Sequence, residues 1–305
     1  METAVRLEGV TKTYGATRAV SALSLNVPKG AIFGFIGPNG SGKTTTLRMI
    51  LHILYPDAGS IEVLGSTSRR AANDRIGYLP EERGLYRKMT VRRVLAYYGG
   101  LKGMRLRDAR AEADRWLERL GLAGWRDRKV ETLSKGMQQK VQFIAAVLNR
   151  PDLLILDEPF SGLDPVNLEA LREVILELKR RGATVIFSTH DMTKAEELSD
   201  TICMIFRGEK VLDGTLEEIQ ARYGADTVRV RLEGGPGALE GIAKGVRDLG
   251  RLQEVRFDGD PQELLRRLLE RGRVEHFEVR RPSLHDIFLR IAGDGNGGGA
   301  AGAGA

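Results

Sequence analysis

Cysteine is nearly absent: one thiol, Cys203, stands in 305 residues. A disulfide within the chain is therefore impossible, and a reducing cytosol is the natural compartment. Cys203 falls in an apolar run, 201–206, that reads as a strand, so it is expected to be a small core residue rather than a reactive thiol. Long apolar runs are missing too. None approaches the ~20 residues of a membrane span, and the first residues lack a signal-peptide apolar segment. The expectation is a protein that is soluble, or peripheral to something that spans. Histidine is scarce, with four residues. His276 and His285 are too isolated to be more than surface or packing residues, and the C-terminal region holds no convincing metal or catalytic constellation.

What is present suggests about two domains, at roughly 150 residues each. Hydrophobic residues make up 42%, enough for real cores. The net charge is +6, but residues 83–129 alone carry 14 Lys/Arg against 5 Asp/Glu, a net of +9, so the rest is slightly negative. Nucleic-acid surfaces, membrane-facing surfaces and solvated helix faces all carry such patches. Residues 226–290 hold 13 basic against 12 acidic side chains, which does not favour nucleic-acid binding there.

The most specific stretch is 37–44: Gly37, Pro38, Asn39, Gly40, Ser41, Gly42, Lys43 and Thr44. It follows an apolar run, 31–36, and opens a helix expected over 45–54. Strand, glycine-rich loop and helix in that order form the context of a phosphate-binding loop. Glycines let the backbone turn its N–H groups inward, and the helix N-terminus adds a positive dipole end. Lys43 would reach the β- and γ-phosphates of a nucleoside triphosphate, and the Thr44 hydroxyl would ligate Mg²⁺.

Further along, the apolar strand 153–156 ends in Asp157 and Glu158. An acidic pair at the C-terminal edge of a buried parallel strand sits where α/β proteins bind ligands. Asp157 would help hold Mg²⁺, and Glu158 could polarise a water. The strand 184–188 ends at Thr189 and His190. By topology His190 shares this edge and could donate to a γ-phosphate. Ser134 is a good N-cap for a helix whose glycine-bearing start, 133–140, offers a second anion site. Tyr14 could stack on an adenine face or be a packed turn residue; spacing leaves both open.

The remaining elements set the frame. Residues 3–36 read as short strands, 60–64 and 75–79 as further strands, and 91–101 and 109–120 as helices. On the second helix Ala109, Ala113, Trp116, Leu117 and Leu120 share one face. This is a helical insertion between two α/β parts. After a helix at 216–223, opened by a capping box at Thr215 and Glu218, the pattern is strand 228–232, helix 238–249, strand 252–257, helix 261–271, strand 274–279 and helix 283–291. The Gly/Ala-rich stretch 293–305 is expected to be disordered.

Together, from about Val5 to Tyr223, these motifs resemble the ATP-binding subunit of an ABC transporter. Residues 37–44 match Walker A, 133–138 the signature motif, 153–158 Walker B with its catalytic glutamate, 161–164 the D-loop and His190 the switch histidine. Tyr14 falls at the aromatic adenine-stacking position. Two departures, Glu81 where the Q-loop usually has glutamine, and Lys135 and Met137 in the signature, resemble a bacterial export-type subgroup that includes sodium- and drug-efflux subunits. Residues 281–289 are similar to the closing segment of those proteins.

The resemblance implies an α/β fold: a P-loop ABC-type domain over 1–223 with an antiparallel β part and a helical subdomain at about 83–150. A small α+β accessory domain over 224–292 and the tail follow. It implies ATP and Mg²⁺ as cofactors, Glu158 and His190 as catalytic groups, and Thr44, Glu81 and Asp157 as metal ligands. Residues Tyr14, 37–45 (through Thr45), Ser134, Gly136 and Asp164 would contact nucleotide, with Ser134 and Gly136 acting on the ATP of a second copy in a head-to-tail dimer. It also implies a transmembrane permease as partner, a place on the inner face of the plasma membrane, and no nucleic acid. Gly84, Leu85, Tyr86 and Met89 would form a groove for a permease helix, with Arg92, Arg93 and their neighbours facing anionic headgroups. Only 91 residues separate Lys43 from Ser134, too few for the long coiled coil of chromosome-maintenance ATPases, and one cassette is present where translation-type members usually carry two. A small-molecule kinase is disfavoured by 133–138 and His190.

Glu81 puts a carboxylate near the γ-phosphate. Like charges ~4 Å apart repel by about 4 kcal/mol at an effective dielectric of ~20. Either Glu81 ligates Mg²⁺ or it points away until the site closes; ligation is the preferred reading.

Overall fold

The computed structural model describes residues 2–67, 73–82, 84–223, 227–233, 236–239, 241, 245–257 and 259–297. The chain divides into two units, Met1–Thr215 and Leu216–Ala305.

The first unit opens with β1 (Thr3–Tyr14) and β2 (Thr17–Pro28), which with β4 (Ala58–Val63) form an antiparallel sheet in the order β2-β1-β4. Val5, Leu7 and Val10 point inward while Arg6 and Glu8 face water, the alternation of a sheet covered on one side. A second sheet has the order β5-β6-β7-β3-β8-β9, from β3 (Ile32–Ile36), β5 (Ile76–Leu79), β6 (Leu153–Asp157), β7 (Thr184–Thr189), β8 (Thr201–Phe206) and β9 (Glu209–Gly214). All its pairs are parallel except β8 with β9. Every residue of β3, β6 and β7 is buried, which is why these strands are largely apolar, with Asp157, Thr184, Ser188 and Thr189 as the polar positions.

Helix α1 (Lys43–Ile50) follows the glycine-rich loop. It starts two residues before the expected 45 and ends four before 54. The amides of Ile53 and Leu54 both turn back to the Arg48 carbonyl, and His52 takes a left-handed φ of +51°, which stops the helix. The helical part contains α2 (Val91–Leu101), α3 (Leu106–Arg119) and α4 (Lys135–Val147). The apolar face of α3 is buried at Ala109, Ala113, Trp116 and Leu117, with Leu120 just beyond. Arg92 on α2 braces α3 through a two-pronged contact with Asp114, and Arg93 is exposed. Helices α5 (Pro165–Arg180) and α6 (Met192–Leu198) complete the unit.

The second unit starts at α7 (Leu216–Tyr223), eight residues before the start at 224 expected from sequence. The reason is local: Gln220 Nε2 donates to the Pro282 carbonyl (3.1 Å) and Arg290 Nη1 to that of Tyr223 (3.4 Å), tying α7 to the closing segment. Then come β10 (Thr227–Leu232), β11 (Gly245–Asp248), β12 (Gln253–Arg256), α8 (Pro261–Leu269), β13 (Val274–Arg280) and α9 (Leu284–Gly297). The strands form an antiparallel sheet, β11-β12-β10-β13, over a core of Val228, Val230, Leu232, Val255, Leu264 and Leu268.

The helix expected over 238–249 is absent from the described part of that stretch: Pro236–Leu239 is one 3₁₀ turn, and β11 is a strand. Gly241 is left-handed at φ +77°, and each glycine within a helix costs about 1 kcal/mol relative to alanine. Residues 240 and 242–244 lie outside the described set. The unit is therefore a four-stranded sheet with helices, not the alternating β-α-β-α-β-α pattern. Helix α9 also runs through 293–297, where disorder was expected; 298–305 lie outside the described residues.

Cys203 is fully buried in β8, and that burial pushes its thiol up to about 12. Iodoacetamide at pH 8 should leave the native protein unlabelled and alkylate it once in guanidinium. One adduct per native chain by mass spectrometry would contradict this placement.

Candidate functional site

Strand register gathers the candidate residues at one sheet edge. Ile36 is level with Thr189, Asp157 with Ser188 and Leu79 with Leu156. The loops leaving β3, β5, β6 and β7 therefore emerge side by side, the arrangement in which open α/β sheets bind ligands.

The loop after β3 depends on two glycines. Gly37 has φ +152°, and a Cβ there would meet the Ile205 carbonyl oxygen at 2.2 Å. Gly42 has φ +108°, and its Cβ would meet the Ala19 carbonyl oxygen at 2.4 Å. Lys43 opens α1 and folds back over the loop: Nζ donates to the carbonyls of Gly37 (2.6 Å) and Pro38 (3.1 Å) and lies 4.0 Å from Glu158 Oε1. Burial pulls the Lys43 pKa below its usual range, opposed by the negative charges of Glu158, Asp157 and Glu81. Beside it is a cavity of about 380 Å³ lined by Ala19, residues 39–45, Glu81 and Glu158.

Asp157 and Glu158 are both buried. Asp157 Oδ1 accepts from the hydroxyls of Ser188 and, at 3.4 Å, Thr44. Its Oδ2 is buried with no hydrogen-bond partner among the described residues. Glu158 takes a left-handed φ of +49°, uncommon for a side chain with a Cβ. Its N–H donates to Ser188 Oγ (3.1 Å) and to the Ser188 carbonyl (3.2 Å), and its Oε1 lies 2.9 Å from His190 Nδ1. Ser188 thus ties both carboxylate residues to β7. Sequence reasoning missed it; the only signal was a hydroxyl following the apolar residues 185–187 of β7.

A divalent metal fits this set on chemical grounds. An orphaned, buried carboxylate oxygen and a threonine hydroxyl are hard oxygen donors. Among the described residues no three His, Cys, Asp or Glu side chains form a metal cage, so phosphate and water oxygens would supply the remaining ligands.

Other candidates stand apart. Ser134 Oγ caps α4 by accepting from Met137 N (3.3 Å), and Asp164 caps α5 by accepting from Asn167 N (3.0 Å). The Asn167 hydrogen bonds hold the Asp164 carboxyl below its ordinary pKa. Ser134, Gly136 and Asp164 do not line the 380 Å³ cavity, nor do Tyr14 and His190. Tyr14 is half-exposed at the end of β1, with the Lys12 ammonium 5.9 Å from its ring centre.

A second, more apolar groove of about 280 Å³ lies between the loop after β5 and helices α2 and α4, with Pro80, Gly84, Leu85, Tyr98 and Gln142 among its walls. Tyr86 is exposed and stacks edge-on with Tyr97 at 5.4 Å, while the Tyr98 hydroxyl donates to the Gly84 carbonyl. Of the four groove residues expected from sequence, Gly84 and Leu85 line it, and Tyr86 and Met89 do not.

Comparison with known proteins gives a consistent assignment. Residues 20–161 match the ABC transporter family, and residues 214–292 match the C-terminal domain of DrrA1-3-like ATP-binding proteins. An uncharacterized ABC transporter ATP-binding protein of Bacillus subtilis, YhaQ, is 46% identical, covering 94% of this chain and 98% of its own. The Nod factor export ATP-binding protein I of Rhizobium etli is 36% identical, covering 95% and 94%. A solved ATP-binding subunit of an ABC transporter superposes with a TM-score of 0.68 at 30% identity, covering 73% of this chain and 94% of that one.

Ser188→Ala removes the hydroxyl that both carboxylate residues use. Nucleotide turnover should fall at least about tenfold, with a stability loss of about 1–3 kcal/mol for the buried groups left unpaired. Steady-state hydrolysis and urea denaturation measure the two effects, and parental turnover would show that Asp157 is held without Ser188.

Proposed function

The chain belongs to the ABC transporter ATP-binding subunits, ATPases by family, and on that premise we propose that it powers export of a substrate through a separate membrane permease. ATP-driven closure of a head-to-tail dimer would supply the motion. One observation carries the dimer reading. Residues 39–45, Glu81 and Glu158 share a cavity that Ser134, Gly136 and Asp164 do not line. Each chain then presents half a site, and a second copy's signature helix start, with free N–H groups and a positive dipole end, closes it.

Within a half-site the proposed roles are these. The N–H groups of the loop and the α1 N-terminus cradle the phosphates, and Lys43 leaves its carbonyl partners for the β- and γ-phosphates. Thr44 and Asp157 would hold Mg²⁺, with Glu81 from across the cavity. Bound there, Mg²⁺ would neutralise charge on the phosphate oxygens. Glu158 orients and deprotonates the attacking water. His190 donates to the same carboxylate through Nδ1, so its Nε2 would donate to the γ-phosphate only as the imidazolium, which carries a proton on both nitrogens. Tyr14 stacks on the adenine.

The export direction rests on the export-type relative. In this reading the permease is another chain; among the described residues no helix is long and apolar enough to cross a membrane. The apolar groove beside Pro80 and Leu85, edged by the Tyr86–Tyr97 pair, receives a permease segment and holds the protein at the inner face of the plasma membrane.

Glu158→Gln should retain ATP binding while turnover falls by ~10²–10⁴, the usual loss for a general base. It should accumulate as an ATP-held dimer, visible by light scattering with ATP and absent without it. Near-parental turnover would overturn the role of Glu158, and a monomer in saturating ATP would overturn the closed dimer.

A further inference from the structure

Glu81 is exposed in a loop, yet the reading above asks its carboxylate to reach a defined point. The side chain that fixes it comes from α4. Gln142 Nε2 donates to the Pro80 carbonyl at 3.1 Å and to the Glu82 carbonyl at 3.0 Å. One amide nitrogen carries two protons, so it serves both acceptors at once. The Pro80 carbonyl belongs to the peptide unit entering Glu81 and the Glu82 carbonyl to the one leaving Glu82, so the two-residue stretch 81–82 is held at both ends and the direction of the Glu81 side chain is restricted.

Gln142 is poorly suited to mere core filling. It is 4% exposed on a helix whose neighbouring Val141, Phe143 and Ile144 are fully buried. Its Oε1 is buried with no hydrogen-bond partner among the described residues, a cost that a leucine or methionine would avoid. What such residues cannot supply is the pair of N–H donors. One turn earlier on the same face, Gln139 Nε2 donates to the Pro159 carbonyl at 3.3 Å, next to Glu158. One helix therefore grips the loops of two carboxylates, and it is the helix that begins at Ser134 and Gly136.

We propose that Gln142 is a positioning residue that aims Glu81 at the metal site and makes that aim depend on where α4 sits. The proposal rests on the reading of Glu81 as a metal ligand. Gln142 and Pro80 also wall the apolar groove, so an occupant of the groove would press on the same tether.

The test uses the full chain with Gln142→Met and Gln142→Leu, which remove the donors while keeping an apolar fit, and Glu81→Gln beside them. Amide hydrogen exchange of the nucleotide-free protein should accelerate at 81 and 82 and stay unchanged in the β3 and β6 strands. Mn²⁺, used as the probe with a non-hydrolysable ATP analogue and followed by electron paramagnetic resonance, should bind about tenfold more weakly to each Gln142 variant. Affinity for the analogue without metal should stay within about twofold. Glu81→Gln should weaken Mn²⁺ similarly, and combining it with Gln142→Met should add nothing further. If Glu81→Gln binds Mn²⁺ like the parent, the ligand reading falls and the proposal with it. If Glu81→Gln weakens Mn²⁺ while both Gln142 variants bind it normally, the tether alone is overturned.

Discussion

The buried ammonium of Lys43 is the constraint around which the site is assembled. Burial disfavours its charge, and three carboxylates, Glu158, Asp157 and Glu81, act to restore it. At the 4.0 Å separation from Glu158 a unit-charge pair is worth about 4 kcal/mol at an effective dielectric of ~20. That attraction opposes the desolvation, which still pulls the Lys43 pKa down. The same cluster creates a second demand. One ammonium and three carboxylates carry a formal charge of −2, and a triphosphate adds more of the same sign. Donors on the loop and the α1 dipole answer part of it. A divalent cation answers the rest, which is the physical ground for Mg²⁺ at Thr44 and Asp157 in the proposed reading.

These charges converge through strand register rather than through sequence proximity. Lys43, Glu81, Asp157 and Glu158 come from three loops separated by tens of residues. What joins them is that β3, β5, β6 and β7 end at one level of one sheet. Helices and the second sheet layer leave these strands buried on both faces, which suits their mostly apolar residues. Ser188 is the pin at the centre: from β7 it holds the Asp157 carboxylate and the Glu158 backbone together.

Much of this was legible in the sequence because the elements concerned are locally determined. The phosphate loop announces itself by glycines that no other residue can replace, as the backbone oxygens of Ile205 and Ala19 show. The buried strands read as apolar runs, α2 was expected at the bounds it adopts, and the apolar face of α3 was found by its period. What escaped notice is relational. Nothing in an isolated Ser188 or Gln142 says which carbonyl or carboxylate it will meet 30 or 60 positions away. The failure at 238–249 has a different cause. Its apolar spacing suits a helix, but Gly241 and Gly245 weaken that choice, and pairing of β11 with β12 wins.

The polar details of the site run against stability in one direction. Asp157 keeps a buried oxygen without a partner, Glu158 sits in a left-handed conformation, and Gln142 buries an unpaired carbonyl. Each costs of order 1–3 kcal/mol, and each could be relieved by an apolar or glycine residue. Buried atoms without a hydrogen-bond partner also occur at Trp116, Arg172 and Gln253 among the described residues, so it is the placement of these three around the acidic pair and the loop of Glu81, not their number, that points to function. In the proposed reading Asp157 Oδ2 is left for a cation; the Glu158 carboxylate lies beside His190 and Lys43, and Gln142 leaves its own carbonyl unpaired while it holds two others. In the proposed reading, what a single chain leaves unsatisfied is what nucleotide, metal and a second copy come to satisfy. Binding and closure would then draw on strain already present in the resting subunit.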